Sequence, residues 1–231
     1  MNKENSDRTV ESTPDYFARV VAILGLFVAI IAVIVPIWQS HSDAQEHISL
    51  RMGTDSSGIV LLSDDRSATR VVQLPWLITL SNTGKVKLSI TDLDAFITEE
   101  QAQTRFPHLL GALYNLDHSD VRFPMTLDAG ESKTIRVYLG FMAKEEILGL
   151  LYSLQAQKKK FTLIQAFKYL AKHNRTMYGG VVEYREIDGS LTITTDSQFY
   201  VNEPVYQLEF RSGRNEVFSI RGSETTARFS N

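Results

Sequence analysis

Cysteine is absent from the 231-residue chain. That excludes a disulfide framework, a cysteine-ligated zinc site, an iron–sulfur cluster and a thiol nucleophile. A basic surplus is missing as well: 24 Lys and Arg stand against 27 Asp and Glu, a net charge of −3. Polybasic nucleic-acid binders need a large positive excess to displace counterions from phosphates, so that class is excluded. The chain has no internal repeat and no low-complexity tract. Neither G-x-G-x-x-G nor G-x-S-x-G occurs, which removes the dinucleotide fingerprint and the nucleophile elbow. Asn82-Thr83-Gly84-Lys85 ends like a phosphate loop. It lacks the earlier glycine, the following Ser or Thr and a helix, so it reads as a β-turn.

What is present begins with one apolar run. Val20 to Trp38 reads VVAILGLFVAIIAVIVPIW, without a charge. At about 1.5 Å per residue such a helix is roughly 28 Å long, close to the roughly 30 Å hydrocarbon core of a bilayer. Val20, Leu24, Phe27, Ile31, Val35 and Trp38 mark its length. Thr13 is the expected cap, Pro14 suits the first helical position, and Asp15 complements the helix dipole. Tyr16, Phe17 and Trp38 fit interfacial aromatic belts. A buried core helix would show a polar stripe, and a cleaved signal peptide has a shorter apolar stretch of about 7–15 residues. The expectation is therefore a transmembrane helix over 14–38. Lys3, Arg8 and Arg19 precede it, and no basic residue follows until Arg51. That bias favours a cytoplasmic N-terminus and a translocated C-terminal domain, with the opposite topology kept open.

Residues 1–13 read as a disordered tail, 39–47 as a polar linker and 48–231 as one domain. Composition is globular, 43% hydrophobic and 22% charged. Leu74–Leu80, the turn Ser81–Lys85, Val86–Ile90 and Leu93–Ile97 read as strand–turn–strand. Ser132–Phe141 alternates Ile135, Val137 and Leu139 with Thr134, Arg136 and Tyr138, the pattern of a half-buried strand. Asp188-Gly189 and Ser212–Asn215 predict two more hairpins, and Gly84 and Gly189 are expected at positive φ. An amphipathic helix pair is expected inside 143–175. Its apolar faces are Ile147, Leu148, Leu150, Leu151 and Leu154, then Leu163, Ile164, Phe167 and Leu170. The fold class predicted is mainly β (α+β): an antiparallel sandwich with a two-helix insertion behind the apolar helix.

The stretches PWLITLSNTGKVKLSITDLDAFI and FPMTLDAGESKTIRVYLGF carry a resemblance. Between residues 72 and 141 the chain resembles immunoglobulin-like sandwich domains of bacterial membrane-anchored proteins. In these a strand ends in an Asn-x-Gly turn, and a later strand follows a Leu-x-x-Gly-Glu turn. The resemblance implies an immunoglobulin-like type and brings no catalytic residue with it.

No catalytic, cofactor-binding or metal-ligating set is assigned. The histidines are His41, His47, His108, His118 and His173, with no H-E-x-x-H. His118-Ser119-Asp120 reads as a polar loop rather than a triad. Asp64/Asp65, Asp92/Asp94 and Glu99/Glu100 are paired carboxylates, and Asp92 and Asp94 share a strand face. They read as solvated surface, since a calcium site needs six to eight oxygens. Charge is unevenly distributed, however. Residues 144–175 hold seven basic and two acidic residues, whereas 39–143 and 176–231 sum to −4 and −3. Lys158, Lys159, Lys160, Lys168, Lys172 and Arg175 are thus a candidate interaction surface, with plain solubility as the rival account.

The function expected is a non-catalytic binding or assembly module. It is held in the bilayer by residues 20–38 and docks a partner protein in or near the membrane. Anionic lipid is a second partner, and nucleic acid ranks last because aromatic interleaving is thin. Two rivals stay open. One is a membrane-tethered hydrolase of envelope polymers using Asp92, Asp94 or Glu99. The other is a cytoplasmic-facing sensor or defence subunit that applies its basic helices to lipid or nucleic acid.

Overall fold

The computed structural model describes residues 16–43, 45–63, 70–98, 105–108, 111–187, 190–195 and 203–223. The chain divides into two compact units, Met1–Gln45 and Glu46–Asn231. The first holds helix α1, Tyr16–Asp43. Within it Arg19–Trp38, of mean hydropathy 3.2, is long and apolar enough to cross a bilayer, a property that signal sequences share. The six marker residues from Val20 to Trp38 are between 41% and 73% exposed, so this apolar surface has no protein cover. Pro36 lies inside the helix, which continues to Asp43. The stretch expected as a linker from 39 is therefore helical in its first half. The expected cap at Thr13–Asp15 lies outside the described residues.

The second unit is two antiparallel sheets facing one another. One contains β1 (Ile48–Thr54), β3 (Val71–Asn82), β8 (Ser132–Met142) and β6 (Leu113–Asn115), in the order β1-β3-β8-β6, with β2 (Leu61–Leu62) also on β3. The other contains β12 (Val217–Gly222), β11 (Val205–Ser212), β4 (Leu88–Thr98) and β5 (Arg105–His108), in the order β12-β11-β4-β5. There β7 (Met125–Leu127) also pairs with β4. A separate hairpin joins β9 (Val182–Ile187) to β10 (Ser190–Thr195). Its turn, Asp188-Gly189, lies outside the described residues.

Alternation along the strands makes the core. Leu74, Trp76 and Ile78 on β3 pair with Leu139, Val137 and Ile135 on β8, and all six are fully buried. They pack with Leu88, Ile90 and Leu93 of β4 and Tyr206, Leu208 and Phe210 of β11. The Trp76 and Tyr206 rings meet edge-on at 5.5 Å across the two sheets. The Tyr206 hydroxyl donates to the Gly140 carbonyl at 2.8 Å, which ties β11 to the opposite sheet.

One expectation is corrected. β3 and β4 do not pair with each other; they lie in different sheets, so the Ser81–Lys85 turn is a corner rather than a hairpin. Asn82, only 2% exposed, holds that corner. Its Nδ2 donates to the carbonyls of Val86 (2.8 Å) and Leu127 (3.1 Å), and its Oδ1 accepts from the Gly84 amide (3.0 Å). The left-handed glycines among the described residues are Gly130 (φ 78°) and Gly179 (φ 80°), not Gly84.

Helix α2 (Glu145–Lys158) and helix α3 (Leu163–Lys172) follow β8. Ile147, Leu148, Leu151 and Leu154 of α2, with Leu163, Ala166 and Leu170 of α3, join the sandwich core. Ile164, expected on that face, is 43% exposed, and Ala171 is buried instead. The two lie within about 20° on the wheel, seven residues apart, so burial here differs along the helix rather than around it. Thr162 and Gln165 form a reciprocal capping box at the start of α3. The amides of Leu163 and Ile164 donate to the carbonyls of Gly58 and Ser56, so the pair is fastened to the loop after β1.

Glu46 opens the unit, and its side chain is 3% exposed. The Ser212 hydroxyl donates to Glu46 Oε2, and Arg214 Nε lies 3.8 Å from Oε1. Deleting residues 1–45 is expected to leave a folded, β-rich fragment, because every strand among the described residues begins after that point. Circular dichroism of a fragment that proves unfolded or wholly aggregated would overturn its independence.

Candidate functional site

Two places in the second unit concentrate polar chemistry. The first lies on the outer face of β8. Period-2 alternation puts Arg136 and Tyr138 outside, yet they are only 8% and 5% exposed. Continuous burial from Ile135 to Phe141 corrects the half-buried expectation. The cause is a second layer. The loop from Asp55 to Gly58 folds over β3, where a Cβ at Gly58 would stand 2.6 Å from the Pro75 ring. Glycine alone permits that approach. From the other side, the segment 111–121 lays Tyr114 edge-on against Tyr138, with ring centroids 6.0 Å apart.

Between these covers Arg136 Nε donates to Asp55 Oδ2 at 2.7 Å, an ion pair whose side chains are 10% and 5% exposed. Asp55 Oδ1 accepts from the Ser57 hydroxyl (2.7 Å), the Ser57 amide (3.1 Å) and the Gly58 amide (3.0 Å). Burial alone would raise the Asp55 pKa. The Ser57 hydroxyl and the Arg136 guanidinium outweigh it and hold the carboxyl below its ordinary value. Burial pushes the Tyr138 phenol up. Arg136 Nη1 lies 3.2 Å from His118 Nδ1. A guanidinium only donates, so in this contact the His118 nitrogen is the acceptor. The arrangement fastens two loops to a strand. The Asp55 carboxylate accepts four hydrogen bonds from the protein.

The triad alternative at 118–120 does not form. His118 turns to Arg136, the Ser119 hydroxyl donates to Asp117 (2.6 Å), and Asp120 bridges to Tyr114 through the backbone. Asp92 and Asp94 are exposed on the outer face of β4, opposite Arg211 and Glu209. No group of three or more His, Asp or Glu suited to a metal occurs among the described residues. Asp64/Asp65 and Glu99/Glu100 lie outside those residues. Asp55 stands unmarked in the sequence, Arg136 reads only as an outward strand residue, and Asn82 only as part of a turn. Arg136, a charge in the middle of an apolar strand, offers a signal for its burial.

The second place is the outer side of α2–α3. Lys158, Lys159 and Lys160 are exposed where the helices join, with Lys159 at φ 60° closing α2. Lys168 and Lys172 are exposed and four residues apart, so they share one side of α3, opposite Leu163 and Leu170. Arg175 is different. Its Nε donates to Glu146 at 2.8 Å and its side chain is 29% exposed, so it braces α2 against the turn after α3. Glu145 is likewise taken by Arg70 at 3.2 Å. With both carboxylates of the pair engaged, the five lysines give this surface its charge.

No protein-family model and no curated protein matches the chain. Among solved structures, it is similar to part of a β-glucosidase involved in saponin metabolism from intestinal bacteria. That match has 12% identity and a TM-score of 0.28, and it covers 77% of this chain and 16% of the enzyme. It is also similar to an uncharacterised β-sandwich protein from Clostridium difficile 630. There the identity is 8% and the TM-score 0.23, over 76% of this chain and 80% of the other.

Proposed function

We propose that this chain is a single-pass membrane protein whose β-sandwich docks a partner protein at the membrane and performs no catalysis. The observation that carries the reading is the lysine surface of α2–α3. The apolar faces of both helices are committed to the core, the capping box and the loop after β1 fix their pose, and what they turn outward is charge. A rigid array of exposed cations recognises by charge complementarity. Arg19–Trp38 supplies the anchor, with the N-terminus cytoplasmic and the sandwich translocated, as the positions of Lys3, Arg8 and Arg19 favour. Confinement to two dimensions raises the effective concentration of the module toward membrane partners, so modest affinity suffices. An immunoglobulin-like type belongs to the same proposal.

Two measurements test it. The full chain should float with membranes and resist alkaline carbonate, and a C-terminal reporter active only outside the cytoplasm should be active. Cross-linking in native membranes should give an adduct that weakens with salt and is lost from Lys158→Gln/Lys159→Gln/Lys160→Gln. That variant should unfold within about 0.5 kcal/mol of wild type, as surface changes do. Carbonate extraction, or an adduct indifferent to the substitutions, would overturn the reading.

A further inference from the structure

We propose that His118 is a pH-operated latch: with no proton on Nδ1 it ties the tip of the β6 hairpin to Arg136, and on acidification it leaves that partner for Asp117. The inference goes beyond the docking reading and does not depend on it. It starts from an unexpected residue in a turn. After β6 the chain reverses over Leu116, Asp117 and His118. The Asn115 amide donates to the Ser119 carbonyl at 2.7 Å, the His118 amide to the Asn115 carbonyl at 3.0 Å, and the Val121 amide to the Leu113 carbonyl at 3.1 Å. His118 has φ 66°, the left-handed conformation that commonly closes such a turn. Glycine, and after it asparagine, suits that backbone; an imidazole is strained there. What the imidazole adds is a contact across to the sheet, since Nδ1 accepts from Arg136 Nη1 at 3.2 Å.

Arg136 is not the part that yields. Its Nε is bound to Asp55 Oδ2 at 2.7 Å, its side chain is 10% exposed, and a guanidinium does not lose its proton. Leu116 to Asp120 are exposed, so the tip is free to move. Imidazole is the side chain whose ordinary change of charge falls between pH 8 and pH 5. A proton on Nδ1 removes the lone pair that the guanidinium uses and sets two cations side by side. Around His118, β8 contributes Arg136 and Tyr138, with Asp55 behind Arg136 and Tyr114 of β6 against Tyr138. Its own hairpin contributes Asp117, Asp120 and Arg122. Asp117 is the carboxylate that feels the His118 charge, and it stays ionised throughout this range. The Ser119 hydroxyl (2.6 Å) and amide (3.0 Å) hold its carboxyl below the ordinary value. An imidazolium therefore has a guanidinium across from it and a carboxylate beside it in the chain, and it turns to the carboxylate. The base of the hairpin stays in place, because the Gly111 amide and the Ala112 carbonyl are bonded to the backbone of Tyr138. What opens is the tip, and with it the side of Arg136 that Nη1 occupies.

The experiment is hydrogen exchange of the full chain in detergent micelles, in steps from about pH 7.5 to about pH 5.5, with labelling times scaled for the intrinsic pH dependence of exchange. Peptides from β3 and β8 report that the sandwich stays folded. In wild type the segment 113–121 should lose about fivefold in protection at the acid end, the scale of one net hydrogen bond, while β3 and β8 keep theirs. His118→Asn suits the same backbone and does not titrate, so it should show no such loss. Asp117→Asn should show the loss only at lower pH, since the imidazolium then lacks its second partner. Equal protection of 113–121 at both ends of the range in wild type would overturn the latch, and so would an equal loss in His118→Asn. A loss in Asp117→Asn that sets in at the wild-type pH would overturn the exchange of partners.

Discussion

Replacing Asp55 with Ala is expected to lower the unfolding free energy by about 3–5 kcal/mol, the usual consequence of leaving one partner of a buried ion pair alone. Arg136 is 8% exposed and its Nε faces Oδ2 at 2.7 Å, so its charge would stay behind in the protein. Arg136→Met alone should cost a similar amount, because Asp55 would keep three hydrogen bonds and lose its counter-ion. The double variant should be more stable than either single one, since no unpaired charge remains. Guanidinium melts followed through buried Trp76 check all three; strictly additive losses would show that the pair does not act as a unit.

Proton linkage gives the same site a second signature. The folded Asp55 carboxyl is held below its ordinary value, so the folded state binds fewer protons than the unfolded state between the two pKa values. Its stabilisation is therefore fully present above the unfolded value, about 3.9, and is lost as pH falls through the folded one. Wild type should lose stability across that acid range, and Asp55→Asn should lose less. An identical acid slope in the two proteins would assign the dependence to other carboxylates.

The elements visible in the sequence were those whose signals are local. Alternation in Ile135–Leu139, the Ser212–Asn215 turn between β11 and β12 and the leucine spacing of α2 each depend on neighbours within a few residues. Partner choice does not. Asn82-Thr83-Gly84 has the composition of a hairpin turn, and composition cannot distinguish a turn returning to its own sheet from a corner crossing to the next. Arg136 failed for a related reason. Period 2 says which face a residue occupies, not whether a distant loop covers that face, and its cover comes from residues 55–58 and 111–121. The lysine surface was legible as a cluster of charge. Its membership was not, because the Arg175–Glu146 bridge joins residues 29 apart.

Asn82→Ala should destabilise the sandwich by about 3 kcal/mol, far more than an ordinary turn substitution. The change strands the buried Leu127 carbonyl and the half-buried Val86 carbonyl and takes from the Gly84 amide one of its two acceptors, the His47 carbonyl remaining; each unsatisfied buried group costs about 1–3 kcal/mol, less where water enters. Asn82→Asp is nearly isosteric and should be worse at neutral pH. It keeps the acceptor for Gly84 but turns a carboxylate oxygen, with no proton to give, toward two carbonyl oxygens. That geometry favours the protonated acid, so the variant's new carboxyl should titrate above its ordinary value in the folded state. Folding then takes up a proton, and the variant should regain stability as pH falls, until loss of the Asp55 contribution sets in below about 3.9. Chemical denaturation at several pH values separates the two variants. A loss in Asn82→Ala no larger than about 0.5 kcal/mol, the scale of a surface change, would mean that the backbone of the corner stands without the Asn82 side chain.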